Sequence, residues 1–167
     1  MSALLPFLAK DELSVSQLEQ WYAVNRSDPG LPDAAISAMA QLDSEIAWRA
    51  VWMLRRITKD AKLTSDQVAR ICEAAPSILH WAWRLTLCQL LARTGIPPTC
   101  REDIFPFLAD CFRDRRTIVR AWALSAMMHC KADRPHRAHV AAAFRSAQRD
   151  RSPSMRARLR HLAGYQS

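Results

Sequence analysis

Glycine is scarce in this chain of 167 residues, which contains three: Gly30, Gly95 and Gly164. Glycine tolerates the positive backbone φ angles on which phosphate-binding loops, dinucleotide-binding turns and tight β-hairpins depend. The shortage therefore excludes enzyme classes built on glycine-rich loops and disfavours a sheet of hairpin-connected strands. A disordered chain is excluded as well, because 50% apolar and 24% charged residues are typical of a folded domain with a core.

Long apolar runs are missing too. No stretch approaches the roughly 18 consecutive apolar residues that a membrane helix needs. The short apolar run near the N-terminus is broken by Pro6 and followed by Asp11 and Glu12 instead of a signal-peptide cleavage site. We therefore expect a cytoplasmic protein with no membrane partner.

The cysteines and histidines lack a convincing metal-binding spacing. The five cysteines form no Cys-x-x-Cys motif, and an odd number without close pairs suits neither a zinc site nor a disulfide framework. We expect buried free thiols. His136 and His139 are three residues apart, but Arg134 and Arg137 beside them oppose a divalent cation. We expect this pair to be solvated at the surface, and we expect neither a metal nor a cofactor.

The net charge of +8 belongs to one part of the chain. Residues 1–112 contain 11 basic and 13 acidic side chains, whereas residues 113–167, the basic third, contain 13 basic and 3 acidic ones. Apolar residues are interleaved with the basic ones, which predicts folded helices with a basic surface and not a basic tail. Arginine outnumbers lysine 20 to 4, and its planar fork suits carboxylates and phosphates. An anionic partner is therefore a candidate.

A repeat of 35 to 36 residues runs through the sequence. It is marked by four arginines, the arginine column: Arg49, Arg84, Arg120 and Arg156. An apolar residue stands directly before each of them and another stands three residues after it, which is the i, i+4 stripe of a helix facing a core. Three of the four arginines also follow an aspartate by six residues: Asp43, Asp114 and Asp150.

A second helical pattern lies between the arginine helices, so each repeat is predicted to be a helical hairpin. The predicted first helices are residues 32–42, 64–75, 103–112 and 134–148. Thr64 and Gln67 have the spacing of a helix capping box. Gly95, followed closely by two prolines, is expected to end a helix that begins at about residue 77.

The N-terminal residues do not keep the repeat frame. Residues 2–9 and 14–24 are predicted to be helices, and residues 25–31 are predicted to be a connector. Terminal units of repeat proteins are often atypical. We therefore interpret residues 1–30 as capping helices that form one domain with four repeats in residues 31–167.

The pattern of an aspartate, four residues, an apolar residue and an arginine on the second helix resembles the HEAT repeat. Residues 114–127 (DRRTIVRAWALSAM) match it best, and the resemblance covers about residues 31–164. It implies an all-α, right-handed α-solenoid of about four HEAT-like hairpins plus the cap, with the second helices on the concave side. Such a surface is extended and suits a long ligand. Our leading hypothesis is a non-enzymatic scaffold or adaptor that binds a protein partner, with an acidic one as an option.

Each candidate binding residue has a structural alternative. The arginine column is able to grip carboxylates or phosphates, but its arginines are also able to pair with aspartates of neighbouring repeats, which we favour. Arg116, Arg158 and Arg160 lack such an aspartate and are better candidates for a partner. Trp48, Trp52 and Trp83 lie on the core stripe and are expected to pack there. Trp81 and Trp122 lie off that stripe and are candidate exposed aromatics.

The alternative function is nucleic-acid binding by the basic third. The HEAT-like alkylpurine DNA glycosylases resemble this chain in architecture and need an acidic residue near aromatic side chains. No acid follows any of the four relevant tryptophans by one helical turn: Trp48, Trp81, Trp83 and Trp122. The chain also lacks any His-Glu dipeptide, and with it the iron-binding motifs of the HEAT-repeat deoxyhypusine hydroxylases. We therefore expect no catalytic residue.

Overall fold

The structure, a computed structural model, describes residues 3–41 and 44–163. Within these ranges all regular structure is helical, as predicted, and no strand is present. The ten α-helices are α1 (Leu4–Leu8), α2 (Val15–Asn25), α3 (Leu31–Met39), α4 (Ser44–Asp60), α5 (Ser65–Ala74), α6 (Trp81–Thr94), α7 (Arg101–Phe112), α8 (Thr117–Met127), α9 (Arg134–Arg149) and α10 (Pro153–Ala163). Three short 3-10 turns lie at Ala75–Ser77, Pro98–Cys100 and Met128–Cys130.

The helix ends follow the local sequence signals. Thr64 caps α5 in a complete capping box with Gln67, as predicted. Gly95 ends α6 with a φ angle of 81°, a conformation that glycine adopts without steric penalty. The remaining predicted helices are present with small differences at their ends, where helix limits are least sharply defined.

The predicted start of α6 at about residue 77 is wrong. Residues Ala75–Ser77 form a 3-10 turn that contains Pro76, and Ile78 is extended with a ψ angle of 108°. This extended residue places the Ile78 side chain in the core, where it is 3% exposed. Helix α6 therefore begins only at Trp81.

The arginine-bearing helices pack in chain order. Helix α4 packs against α6, α6 against α8, and α8 against α10. Helix α3 contacts α5, and α5 contacts α7. Helices α1 and α2 both contact α4. The buried residues form one cluster that extends from Leu4 in α1 to Leu162 in α10.

Helix α8 is the most enclosed helix of the C-terminal half. It contacts α6, α7, α9 and α10, and small residues such as Ala121, Ala123 and Ala126 are buried along it. Each buried leucine on the facing helix α6 stabilises the packing by roughly 1.5–3 kcal/mol. Trp122 is only half-buried although its neighbours on both sides are buried, so its ring lies at the boundary between core and solvent.

The five cysteines are buried free thiols, as predicted: Cys72, Cys88, Cys100, Cys111 and Cys130. Burial raises the pKa of Cys72 to about 12 and the pKa of Cys130 to about 11. Both are therefore uncharged near neutral pH. In the described part of the chain, every helix is too short or too polar to cross a membrane.

Candidate functional site

Arg49, the first member of the arginine column, is buried inside the protein and is 6% exposed. Its Nη1 donates hydrogen bonds to the carbonyl oxygens of Leu8, at 2.7 Å, and Lys10, at 2.8 Å. These carbonyls lie at the C-terminal end of α1, where a helix leaves its last acceptors without intrahelical partners. Arg49 therefore joins the N-terminal helices to α4 and is not available to a ligand.

Arg84 links α6 to α7, and Arg120 links α8 to the residue that follows α9. The Arg84 side chain donates to the Ile78 carbonyl and to the Asp110 carboxylate at the end of α7. Nη2 of Arg120 donates to Oδ2 of Asp150 at 2.8 Å. The hydrogen bond from Arg120, with those from Ser152, lowers the pKa of Asp150 to about 2. Both guanidinium groups are thus already engaged by carboxylates.

The Arg120–Asp150 pair has the spacing predicted from the repeat, with the aspartate supplied by the next unit. Arg84 instead uses Asp110, because that carboxylate at the end of α7 lies within reach whereas Asp114 binds the backbone N–H of Arg116. The aspartate predicted for the first repeat, Asp43, lies outside the described residues. Both Arg84 and Arg120 therefore pair with an aspartate further along the chain, but the two aspartates do not occupy the same position in the repeat.

Arg156, the last member of the column, differs from the other three. It is exposed on α10 and makes no ion pair with any residue that the structure describes. Arg160, one turn further along α10, is also exposed and also lacks such a pair. These two guanidinium groups are free to contact a partner.

Trp81 and Trp122 are half-buried, and an arginine side chain lies against each ring. Arg116, the N-cap residue of α8, contacts Trp81, and Arg158 of α10 contacts Trp122. The Cζ atom of Arg116 lies 4.4 Å from the Trp81 ring centroid. The Cζ atom of Arg158 lies 3.4 Å from the Trp122 ring centroid. Such cation–π contacts are favourable and hold the guanidinium in place. The four candidates predicted separately from the sequence thus form two contact pairs.

A groove of about 890 Å³ lies between α6, α8 and α10, and we call it the Trp122 groove. Its apolar lining includes Ile118, Trp122 and Leu162. Its basic lining consists of Arg93, His129, Lys131, Arg158 and His161. No aspartate or glutamate is among the described residues that line it. Arg93, Lys131 and Arg158 therefore lie beside an apolar interior, with no carboxylate among the described lining residues.

Arg158 and Arg93 are the central charges of this groove. The Cζ atom of Arg93 lies 6.0 Å from the same Trp122 ring that Arg158 covers. Burial, together with the neighbouring charge of Arg93, lowers the pKa of Arg158. The pKa of Arg56 shifts in the opposite direction, because its hydrogen bond to the Glu19 carboxylate raises it. The two guanidinium groups at Trp122 thus repel each other, and no carboxylate in residues 3–41 or 44–163 lines the groove to offset the repulsion.

A smaller cleft of about 480 Å³ adjoins the groove, since Met128 and Lys131 line both. Phe144 and Val140 of α9 form its apolar part, and Arg137 and Arg145 contribute positive charge. It repeats the combination of apolar surface and basic rim. The basic surface therefore extends beyond the Trp122 groove.

The expectation of a solvated His136–His139 pair is wrong for His136. This side chain is buried at 9% exposure, and its ring stacks on Phe105 of α7 with 4.1 Å between centroids. The first turn of α9 lies over α7 here, where Arg101 also binds Asp133, so one face of α9 is covered. Over the described ranges, no group of three or more His, Cys, Asp or Glu is arranged to hold a metal ion.

Arg93 is the groove residue that sequence reasoning missed. It lies in the last turn of α6, within the part of the chain where acidic and basic residues balance. Neither the repeat frame nor the charge distribution distinguishes it there. Only its distance to Trp122, which is 29 positions later in the sequence, identifies it.

Comparison of the chain with models of known protein families, with curated proteins and with solved structures finds no match. The function proposed for this protein therefore rests on its own residues.

Proposed function

We propose that this protein is a non-enzymatic adaptor that binds an acidic protein segment through the second helices of its C-terminal repeats. The observation that supports the proposal is that far fewer basic residues form ion pairs in the C-terminal part of the chain than in the part before it. Of the thirteen Lys and Arg between residues 113 and 163, only Arg116 and Arg120 form ion pairs with described residues. In the preceding part, five arginines are paired: Arg49, Arg56, Arg70, Arg84 and Arg101. The unpaired charge is thus concentrated at one end.

We further propose that the helices form a HEAT-like, right-handed α-solenoid. The contacts of α4, α6, α8 and α10 in chain order support this arrangement, as does the Arg120–Asp150 bond between neighbouring units. Stacked hairpins of this kind present their second helices as one continuous face. That face suits an extended segment of another protein.

The covered tryptophans favour a protein partner over nucleic acid. A nucleobase stacks on an exposed aromatic face, but Arg158 lies against the ring of Trp122 and Arg116 lies against the ring of Trp81. Ile118, which is 39% exposed at the groove, adds apolar surface that suits a protein side chain. The strong positive charge of the basic third is the feature that supports the nucleic-acid alternative.

A capture experiment with charge-reversal variants tests the adaptor function. The immobilised protein is incubated with a nuclease-treated extract of its native cells, bound proteins are identified by mass spectrometry, and their affinity is then measured in purified form. Arg156→Glu with Arg160→Glu reverses two exposed charges on α10. Lys59→Glu with Lys62→Glu makes the same change in charge at exposed positions outside the basic third.

We expect a purified partner with an acidic segment whose affinity falls about tenfold or more for the α10 variant and stays nearly unchanged for the control. Equal affinity of all three proteins would contradict the proposal. So would tight binding of single-stranded or duplex oligonucleotides at about 50 mM salt without any direct protein partner, because phosphate contacts dominate under those conditions.

A further inference from the structure

Arg158 is held in an orientation that leaves its donors available. With 3.4 Å between Cζ and the ring centroid, its guanidinium group lies against the face of Trp122. A guanidinium stacked in this way keeps its N–H groups along its edge, where they bind a carboxylate through two parallel hydrogen bonds. The structure gives this side chain no carboxylate among the residues it describes.

Arg93 adds a second cation beside the same ring. Both guanidinium groups and the Lys131 ammonium line one groove, and none of the described lining residues is acidic. Charges of like sign in a partly desolvated groove raise its free energy. An anion bound between Arg93 and Arg158 would offset this repulsion, so the groove is complementary to a negative group.

The groove is also larger and more apolar than a simple anion requires. Its volume of about 890 Å³ exceeds that of a single carboxylate, and Ile118 and Leu162 line it beside the ring of Trp122. Small side chains at Ala121 and Ala157 leave the space open. Pockets that combine an apolar lining with a few placed charges hold ligands with both an apolar part and a polar part.

We propose that the Trp122 groove binds a peptide segment in which an aspartate or glutamate neighbours a large apolar residue. The carboxylate binds the guanidinium groups of Arg158 and Arg93, and the apolar side chain packs against Ile118 and Leu162. This inference deepens the proposed adaptor function and rests on it, because it assigns the chemistry that the groove recognises in the partner.

Synthetic peptides test the proposal on the full-length protein. The probe is a fluorescein-labelled peptide of alternating glutamate and leucine. An all-glutamate peptide with the same number of carboxylates lacks the apolar part, and a glutamine–leucine peptide of equal length lacks the charge. Binding is measured by fluorescence anisotropy. The indole N–H signal of Trp122 in an NMR spectrum, assigned with the Trp122→Phe variant, reports the place of binding.

We expect the glutamate–leucine peptide to bind most tightly and to shift the Trp122 indole signal. The variant Arg158→Gln should weaken this binding about tenfold, which is the usual size of a lost bidentate carboxylate contact. Arg158→Lys should restore only part of it, because lysine keeps the charge but not the planar fork. Arg149→Gln, which removes an exposed charge outside the groove, should leave the affinity within about twofold.

Three results would overturn the proposal. The first is equal binding of the glutamine–leucine peptide, which would exclude carboxylate recognition. The second is equal binding of the all-glutamate peptide, which would exclude the apolar contact. The third is a larger shift of the Trp122 signal with a short oligonucleotide than with any peptide. Thermal unfolding of each variant separates lost binding from lost folding.

The two proposals fail in different ways. Loss of a native partner in the α10 charge-reversal variant without any peptide-induced shift at Trp122 would refute the groove site and leave the adaptor function standing. A peptide that binds the groove with the expected pattern, in a protein that captures no partner, would refute the adaptor function instead.

Discussion

The Cζ atom of Arg158 lies 3.4 Å from the ring centroid of Trp122. The two residues occupy the same position in successive sequence repeats, two residues after Arg156 and Arg120 respectively. Because α8 packs directly against α10, side chains at one repeat position are brought side by side. The preceding repeat has Thr86 at this position. At this repeat position, an aromatic and a cationic residue therefore meet between α8 and α10.

The Asp150 carboxylate should make stability depend on pH. The Arg120 hydrogen bond lowers its pKa to about 2, below the value of about 3.9 expected in the unfolded chain. Its stabilising contribution is therefore complete above about pH 4 and is lost as the pH falls toward 2. The difference in unfolding free energy between wild type and Asp150→Asn should be about 1 kcal/mol at pH 6, allowing for solvent screening, and should shrink toward pH 2.

Urea unfolding at a series of pH values measures this difference. Asp11→Asn, at an exposed position before α2, is the control and should show no comparable change with pH. A constant difference between wild type and Asp150→Asn across the range would show that the ionised carboxylate does not stabilise the fold.

Arg49 should be far more important for stability than Arg156, although the two share a repeat position. Arg49→Met removes the donor to the Leu8 and Lys10 carbonyls and should lower the unfolding free energy by about 2–3 kcal/mol. Arg156→Met at the exposed equivalent position should change it by less than about 0.5 kcal/mol. Chemical denaturation of both variants is the measurement, and equal effects would refute the structural role of Arg49.

The five thiols should be protected from reagents in the folded protein. All are buried, and burial raises the pKa of Cys72 to about 12. Only the thiolate reacts with Ellman's reagent, so labelling at pH 8 should be slow until concentrated guanidinium chloride unfolds the chain. Five thiols should then react. A native thiol that reacts as fast as free cysteine would contradict this burial.

Removing a charge from the Trp122 groove should raise stability. Arg93→Gln relieves the repulsion between Arg93 and Arg158, so its unfolding free energy should exceed that of wild type. The gain should be larger at low salt, where screening is weaker. Arg151→Gln removes an exposed charge outside the groove and serves as the control. A loss of stability in Arg93→Gln relative to this control would contradict the uncompensated repulsion.

Local signals made the helices predictable. The 3.6-residue periodicity, the Thr64–Gln67 capping box and the glycine at Gly95 are properties of short segments, and each appears where expected. The start of α6 was missed because Ile78 and Leu79 are apolar residues directly before the helix, whereas the backbone at Ile78 is extended and its side chain is buried. Periodicity does not distinguish an apolar helix from an apolar turn.

The candidate site was only partly predictable, because its parts are distant in sequence. Trp122 and Arg158 were identified from their position relative to the repeat, but their contact depends on how α8 packs against α10. Arg93 and the burial of His136 depend on tertiary neighbours that no local pattern encodes.

The hydrogen bonds from Arg49 to the end of α1 mean that the first helix supplies backbone acceptors to a buried cation in addition to covering apolar surface. A chain shortened to begin at α3 would lose the Leu8 and Lys10 carbonyls, so the Arg49 guanidinium would keep the Glu45 carboxylate but lose both of these backbone acceptors. Substituting an apolar residue for Arg49 in the shortened chain would remove that penalty. The N-terminal helices and the buried arginine of α4 are therefore expected to be lost or kept together whenever the chain is shortened or recombined.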